Sequence, residues 1–482
     1  MELGQLIPGA PAGAREAQIT GLAYDNRTVT PGALFFCVSG HTRDGHDFAP
    51  DAVARGAAAL VVQRPLGLGV PEAIVPSVRE AMAPAAAAFY GDPTAELATV
   101  GVTGTNGKTT SAFLIRGLLE AGGSRTGLLG TVKSVIGGVE HEVARTTPEA
   151  IDLQRTFRNM LELGDRACVM EVSSHALTLH RVDSVHFAAA LFTNLTQDHL
   201  DFHPTMEDYF LAKRRLFVEA NPAAQIVNVD DRYGARLAAE LAQSTTFAIH
   251  ADADYRAVDV STGLGGSQFR VLAPDGELEL RSPLRGEFNV YNVLGALATA
   301  RCLGVPAEAC VAAIASAGQV PGRFETVDEG QPFAVLVDYA HTPDSLENVL
   351  TAARDLTGER LHVVFGCGGD RDRGKRPLMG EIARRLADRA IVTSDNPRSE
   401  DPDAIIAEIL TGAGHDVEHD PDRRAAIALA LHGAQAGDVV VIAGKGHEQG
   451  QEFEDGRKLP FDDVTVAREI LRRQLARPAA AR

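Results

Sequence analysis

A chain of 482 residues is longer than one hydrophobic core serves, and about three domains are expected. Its 45% hydrophobic and 23% charged residues describe an ordinary globular composition. A net charge of −18 argues against nucleic acid or an anionic membrane surface as partner, since either needs clustered Lys and Arg.

The longest apolar runs, near residues 56–62 and 81–89, are too short to cross a bilayer, so no membrane insertion is expected. Residues 1–9 lack the basic flank and apolar core of an export signal. The five cysteines (Cys37, Cys168, Cys302, Cys310, Cys367) form no C-x-x-C pair and read as small core residues with reduced thiols, which makes the cytoplasm the expected compartment.

Residues 1–97 read as a small α/β unit. The segment 21–39 alternates and then turns continuously apolar at 33–38, as a buried strand does. Asp25-Asn26-Arg27 and His41-Thr42-Arg43-Asp44-Gly45 flank it, and by themselves both clusters read as turn chemistry. Gly91-Asp92-Pro93 closes the unit.

Next comes A-T-V-G-V-T-G-T-N-G-K-T-T-S at residues 98–111. A β-branched run, a glycine turn and apolar positions at helical spacing (Phe113, Leu114, Leu118, Leu119) spell strand, loop and helix. Gly104 and Gly107 free the backbone of Gly104-Thr105-Asn106-Gly107 to turn N–H groups inward, and the helix adds the positive end of its dipole. Lys108 then meets β and γ phosphates and the Thr109 hydroxyl holds Mg²⁺, with Thr110 beside it. Val102 stands where the usual phosphate loop has its first glycine.

Residues 98–322 alternate strands and helices, the pattern of a parallel sheet wound on both faces, with strands expected at 126–129, 167–171, 187–194 and 225–229. Glu171 ends one of them, placed for a hard metal ion or equally to cap the next helix. F-T-N-L-T-Q-D-H-L-D-F-H at 192–203 is dense in Asp and His without zinc-site spacing, so His199 is a single ligand or ordinary loop polarity. In the helix expected at 206–217, spacing alone makes Lys213 a solvated charge. Residues 230–284 are loop-rich and strand-like, without a functional reading. Asn292, in G-E-F-N-V-Y-N, reads as a helix cap when taken alone.

V-P-G-R-F-E at 320–325 marks the second boundary, and residues 323–482 resume βα units with strands expected at 333–337, 361–365, 390–393 and 439–443. Their ends carry D-Y-A-H-T-P, G-C-G-G-D-R-D, S-D-N-P-R and G-K-G-H-E. Two arginines, Arg376 and Arg398, together with Glu448 suit a zwitterion with extra charge: guanidinium grips carboxylate, and carboxylate accepts from ammonium. Surface salt bridges are the plainer alternative.

The order of T-G-T-N-G-K-T-T, R-T-T-P-E, E-V-S-S-H-A-L, F-T-N-L-T-Q-D-H-L-D-F-H, A-K-R-R-L-F and G-E-F-N-V-Y-N resembles the Mur ligases over essentially the whole chain. The resemblance implies a three-domain cytoplasmic amide ligase of peptidoglycan synthesis: a small N-terminal α/β domain (1–97) for the nucleotide end of UDP-MurNAc-L-Ala-D-Glu, a central phosphate-loop domain (98–322) for ATP, and a C-terminal Rossmann-like α/β domain (323–482) for the amino acid. It implies that Glu171, His199 and Lys213, the last as a CO₂-derived carbamate, hold Mg²⁺ with Thr109. Asn292, Arg323 and Asp338 join the ATP site. Asn26, His41, Thr42 and Arg43 match the nucleotide-end pocket, and Thr146, Thr147, Ser174 and Arg181 match the sugar-peptide contacts. Asp395, Asn396, Pro397 and Arg398 with Arg376, Gly444 and Glu448 match the amino-acid site.

Asn26, Arg145 and Leu179 depart from residues common in the family. D-N-P-R resembles members that add meso-diaminopimelate, with L-lysine or L-ornithine as alternatives. Another Mur-type or folylpolyglutamate ligase and a nucleotide-gated binding protein that forms no bond are the rival readings, and a monomer is expected.

Overall fold

A computed structural model describes residues 1–40, 43–143 and 145–476, so His41 and Thr42 lie outside the described residues. The chain divides into two compact units: Met1–Thr103, Gly123–Leu191 and Leu211–Gln225 form the first, and Gly104–Gly122, Phe192–Phe210 and Ile226–Arg482 the second. Among the described residues no helix is long and apolar enough to cross a membrane.

The first unit contains a four-stranded parallel sheet of Gly21–Ala23, Ala33–Phe36, Ala59–Val62 and Glu72–Ile74, in that order. Successive side chains of a strand face opposite ways, so Leu34 and Phe36 pack with Leu3, Val78 and Met82 while Phe35 and Cys37 pack with Ala49 and Ala52. Both faces are covered, which is why 33–38 is apolar without alternation. In the described part of the flanking polar clusters, Asp25 accepts from the Arg27 amide and Asp44 from the His46 amide, each starting a short 3₁₀ helix.

Further along the same unit, Ala98–Thr103, Ala167–Glu171 and Thr126–Leu129 pair in parallel, and Ser134–Ile136 and Val139–His141 extend the edge antiparallel. Register sets Val102 opposite Glu171, so Glu171 emerges at the carboxyl end of the sheet. Ligands of parallel sheets collect at that end.

The second unit begins with the helix Lys108–Ala121. The stretch 230–284 holds the helix Arg232–Glu240 and an antiparallel run of Tyr255–Gly263, Gly266–Ala273 and Gly276–Ser282. Helices Glu287–Cys302 and Ala307–Ala315 follow. A six-stranded sheet then runs Glu325–Thr326, Ala334–Asp338, Val439–Ala443, Leu361–Phe365, Arg389–Thr393 and Glu418–Asp420, parallel except for its first strand. Helices cover both faces: Leu350, Met379 and Ile409 pack on one, Ile427, Ala467 and Leu471 on the other. The polar motifs therefore leave the sheet together at its carboxyl edge. Four cysteines are buried as expected, but Cys302 is exposed at its helix end.

Candidate active site

In the first unit, Glu171 is 1% exposed and accepts from the Thr131 amide (2.8 Å) and the Thr131 hydroxyl (3.0 Å). It caps nothing: the following helix, Ser174–Thr178, is capped by Ser173. Thr131 Oγ1 lies 3.1 Å from Thr146 Oγ1, and the Thr147 hydroxyl donates to the Glu171 carbonyl at 2.9 Å. Arg181 donates to the Thr147 carbonyl (3.1 Å) and pairs with the buried Glu149 (3.0 Å), which also takes Arg79 (3.2 Å) and Arg145 (2.9 Å). Thr146, Thr147 and Arg181 thus share one polar network with Glu171, and Ser174 opens the helix next to it. Three guanidiniums on one carboxylate leave positive charge for an anionic ligand.

Lys213, on the helix Met206–Val218, is 1% exposed. This corrects the solvated-charge reading. Tyr209, Phe210, Ala212, Lys213, Leu216 and Phe217 are all buried, so the lysine sits inside the apolar stripe, at i+4 from Tyr209 and i−3 from Leu216. At the nucleotide end, Asn26 donates to Asp51 (2.7 Å) and Arg43 is exposed.

In the second unit, the phosphate loop is held by the segment after residue 192. Asn194 accepts the Asn106 amide on its side chain and the Thr105 amide on its carbonyl, both at 2.9 Å, while the Thr193 hydroxyl donates to the Asn106 carbonyl at 2.6 Å. Both loop glycines are dictated by contact as well as conformation. Gly104 has φ +149°, and a Cβ there would meet Thr193 Oγ1 at 1.9 Å; Gly107 has φ +83°, and its Cβ would meet Asn292 Oδ1 at 2.3 Å.

Asn292 is therefore no cap. It lies inside the helix Glu287–Cys302, whose N-cap is Gly286, and its Oδ1 accepts from Ser111 at 3.3 Å. Lys108 donates to the Gly104 (3.0 Å) and Thr105 (2.8 Å) carbonyls, and Thr109 Oγ1 accepts from Arg323 at 3.1 Å. Arg323 stacks over the Tyr339 ring at 4.5 Å. Beside it Asp338 accepts the Phe324 amide (2.7 Å), and burial lifts its carboxyl to about 6 although Arg323 opposes the rise. The expected ATP residues 104–110, 292, 323 and 338 are thus contiguous within this unit.

Asp344, which the sequence reading missed, accepts from Asn106 (2.7 Å) and from the Thr196 hydroxyl (3.0 Å). Burial raises its carboxyl above the usual range. Its signal was available, because it directly follows the D-Y-A-H-T-P motif. His199 lies 3.4 Å from Asp198 and edge-on to Tyr209.

At the sheet edge, Asn396 donates to Glu448 (2.8 Å), Lys445 donates to Asn396 (2.8 Å) and Glu448 (2.9 Å), and Asp395 lies 3.9 Å from Lys445. Arg398 donates to Glu452 (3.1 Å) and to the Gly369 carbonyl (2.7 Å). Gly369 packs so close to the Pro397 carbonyl that its Cβ would lie 1.9 Å from it, which seats the D-N-P-R turn. Arg376 is neither exposed nor alone: at 0% exposure it donates to Glu400 (2.8 and 2.9 Å) and Glu408 (2.8 Å). The Gly444 amide donates to the Asp338 backbone carbonyl at 3.0 Å, tying the amino-acid motif to the ATP set.

Among the described residues no three of His, Cys, Asp and Glu cluster as a metal site. The Glu171 carboxylate in the first unit and the Thr109 hydroxyl in the second are each an oxygen donor of the kind Mg²⁺ favours. Space at Glu171 is kept by Gly130, where a Cβ would lie 2.6 Å from the carboxylate.

Comparison with known families matches residues 18–90 to the Mur ligase family catalytic domain, 102–300 to the Mur ligase middle domain and 322–446 to the Mur ligase glutamate ligase domain. The UDP-N-acetylmuramoyl-L-alanyl-D-glutamate–2,6-diaminopimelate ligase of Geobacillus kaustophilus is 48% identical over 93% of this chain and 94% of its own length. The protein of the same name from Geobacillus thermodenitrificans is 49% identical with the same coverage, 93% and 94%. A solved structure of a ligase of that name, 34% identical, superposes with a TM-score of 0.72 over 98% of this chain and 99% of the other. The chain belongs to the Mur ligase family.

Proposed function

We propose that this protein is an ATP-dependent ligase that joins a diamino acid, with meso-diaminopimelate favoured, to UDP-MurNAc-L-Ala-D-Glu in peptidoglycan synthesis. The observation that carries the reading is the phosphate loop 104–110, contiguous with Asn292, Arg323 and Asp338 and, through Gly444, with a charged cluster suited to an amino acid. The relatives' names supply the substrate class.

In this reading the D-glutamyl carboxylate attacks the γ-phosphorus of ATP, ADP leaves, and an acyl phosphate forms. The α-amine of the diamino acid attacks that carbonyl, phosphate departs and the amine proton is lost. Loop amides and Lys108 stabilise charge building on the γ-phosphate. Arg181, Thr146, Thr147 and Ser174 orient the acidic peptide; Asn26, His41, Thr42 and Arg43 hold the nucleotide end. Mg²⁺, assigned to Thr109, Glu171, His199 and Lys213, neutralises phosphate charge when bound.

Lys213 serves as its carbamate: the neutral amine adds to CO₂ and releases a proton, converting a cation into an oxygen ligand. Arg398 faces the distal carboxylate, Asp395 and Glu448 the distal ammonium, and Arg376 braces the turn through Glu400. Residues 1–97, 98–322 and 323–482 act as the three functional domains of a cytoplasmic monomer.

The test is incubation with ATP, Mg²⁺ and UDP-MurNAc-L-Ala-D-Glu against meso-diaminopimelate, L-lysine and L-ornithine separately, with product masses read directly. A tripeptide with diaminopimelate is expected. Coupling of ornithine or lysine alone overturns the amino-acid choice, and ATP turnover indifferent to every amine overturns the ligase.

A further inference from the structure

Lys445 is a wholly enclosed charge at the amino-acid end, 0% exposed, and none of the roles above uses it. It follows Gly444 at the end of the strand Val439–Ala443. Its ammonium donates to Asn396 Oδ1 at 2.8 Å and Glu448 Oε2 at 2.9 Å, and Asp395 Oδ1 stands 3.9 Å away. An ammonium can only donate and a carboxylate can only accept, so these two neighbours leave Asn396 one orientation: oxygen toward Lys445, amide toward Glu448 Oε2 at 2.8 Å. The same Asn396 oxygen accepts the Glu452 amide at 2.9 Å, and Glu452 in turn holds Arg398. One buried cation thereby fixes the side chains of both ligand-facing motifs.

The two oxygens of Glu448 are left unequal. Oε2 is taken by Lys445 and Asn396, whereas among the described residues Oε1 meets the Tyr339 hydroxyl, at 3.5 Å. We infer that Lys445 is a positioning residue for the amino-acid site, locking Asn396 and Glu448 so that Glu448 Oε1 accepts the ammonium at the far end of the diamino acid. This rests on the ligase reading above. A lysine at this place also answers an electrostatic need, because it offsets the buried carboxylate of Asp395 and the partly buried one of Glu448.

The charged and titratable groups around Glu448 are Lys445, Asp395, Tyr339, His341 and Arg423. Burial pushes the Glu448 carboxyl up, but Lys445, helped by Asn396 and His341, outweighs it and holds the carboxyl below its ordinary value. Removing the lysine charge raises it, so protonation of Glu448, and with it loss of amine binding, begins at higher pH.

The experiment uses the full chain with Lys445→Met and the neutral, hydrogen-bonding Lys445→Gln. Tripeptide formation is measured with the diamino acid that the parent accepts and with its analogue lacking the distal amine. The KM for the diamino acid is expected to rise about tenfold or more, the scale of a lost charged hydrogen bond, with KM for ATP unchanged. The parent's preference for the diamino acid over the analogue is expected to shrink, and the acid limb of kcat/KM for the diamino acid to move to higher pH.

A purely structural lysine would lower activity toward both acceptors alike. An unchanged preference, or an unmoved acid limb, therefore overturns the inference while leaving the ligase standing. If Lys445→Met fails to fold, Lys445→Gln carries the same comparison. A parent that joins no amine overturns both.

Discussion

Replacing Gly104 by alanine puts the phosphate-loop reasoning at risk in a single substitution. Its φ of +149° lies where side chains are rarely tolerated, at a cost of roughly 1–3 kcal/mol. The new Cβ would stand 1.9 Å from Thr193 Oγ1 and 3.0 Å from the Asn194 carbonyl, so Thr193 must move and its 2.6 Å hydrogen bond to the Asn106 carbonyl is lost, at about 1 kcal/mol more. The total, about 2–4 kcal/mol, falls on the segment that presents amides to phosphate, so nucleotide affinity should drop by roughly 30- to 1000-fold if the strain is released only by distorting the loop. Calorimetric titration with ATP reads the affinity, and urea unfolding reads how much of the cost is global. Thr193→Ala in the same chain removes the 1.9 Å clash but leaves the 3.0 Å approach and the backbone strain, so the double variant should recover part of the loss. Parent-like ATP affinity in Gly104→Ala would refute the claim that this glycine shapes the cradle.

Lys213→Ala should abolish ligation, and short-chain carboxylic acids should restore part of it by supplying the missing oxygen ligand; a fully active alanine variant removes the carbamate. Arg398→Ala should raise the KM for meso-diaminopimelate by about tenfold or more while sparing an acceptor without a distal carboxylate. Equal losses for both acceptors would deny it that role.

Asp338 is protonated more readily folded, near 6, than unfolded, so the native state binds the extra proton between about pH 4 and 6 and stability falls as pH rises through that window. Asp338→Asn, which still accepts the Phe324 amide, should gain stability over the parent from pH 4 to 7, on the order of 3 kcal/mol from a shift of about two units. Urea midpoints at the two pH values check it, and a parallel pH response of the two proteins would contradict it.

Local chemistry was enough to announce the strand Ala98–Thr103, the glycine loop, the helix Lys108–Ala121 and the four inner strands of the six-stranded sheet. A β-branched run, a turn needing positive φ and an apolar period are each contained in a few neighbouring residues. The stretch 230–284 read as strand-like without a topology, because its antiparallel strands are defined by partners across turns.

Charged residues in apolar stripes teach the sharper lesson. Lys213, Arg376 and Arg423 each sit at helical spacing with buried neighbours: Tyr209, Leu216 and Phe217; Met379, Gly380 and Ala383; Ala426, Ile427 and Ala430. The sequence, read by spacing alone, made Lys213 a solvated charge, although buried neighbours recur around all three cations at helical intervals. What compensates a buried cation it could not hold. Glu400 and Glu408 reach Arg376 from 24 and 32 residues away, and Asp463 reaches Arg423 from 40 away, at 2.7 Å with both side chains wholly enclosed. The same division runs through the candidate site: types and order of residues are written along the chain, whereas which oxygen faces which ammonium is settled only when distant segments pack, because a charge taken out of water is stable only where folding has brought its counter-charge within hydrogen-bond reach.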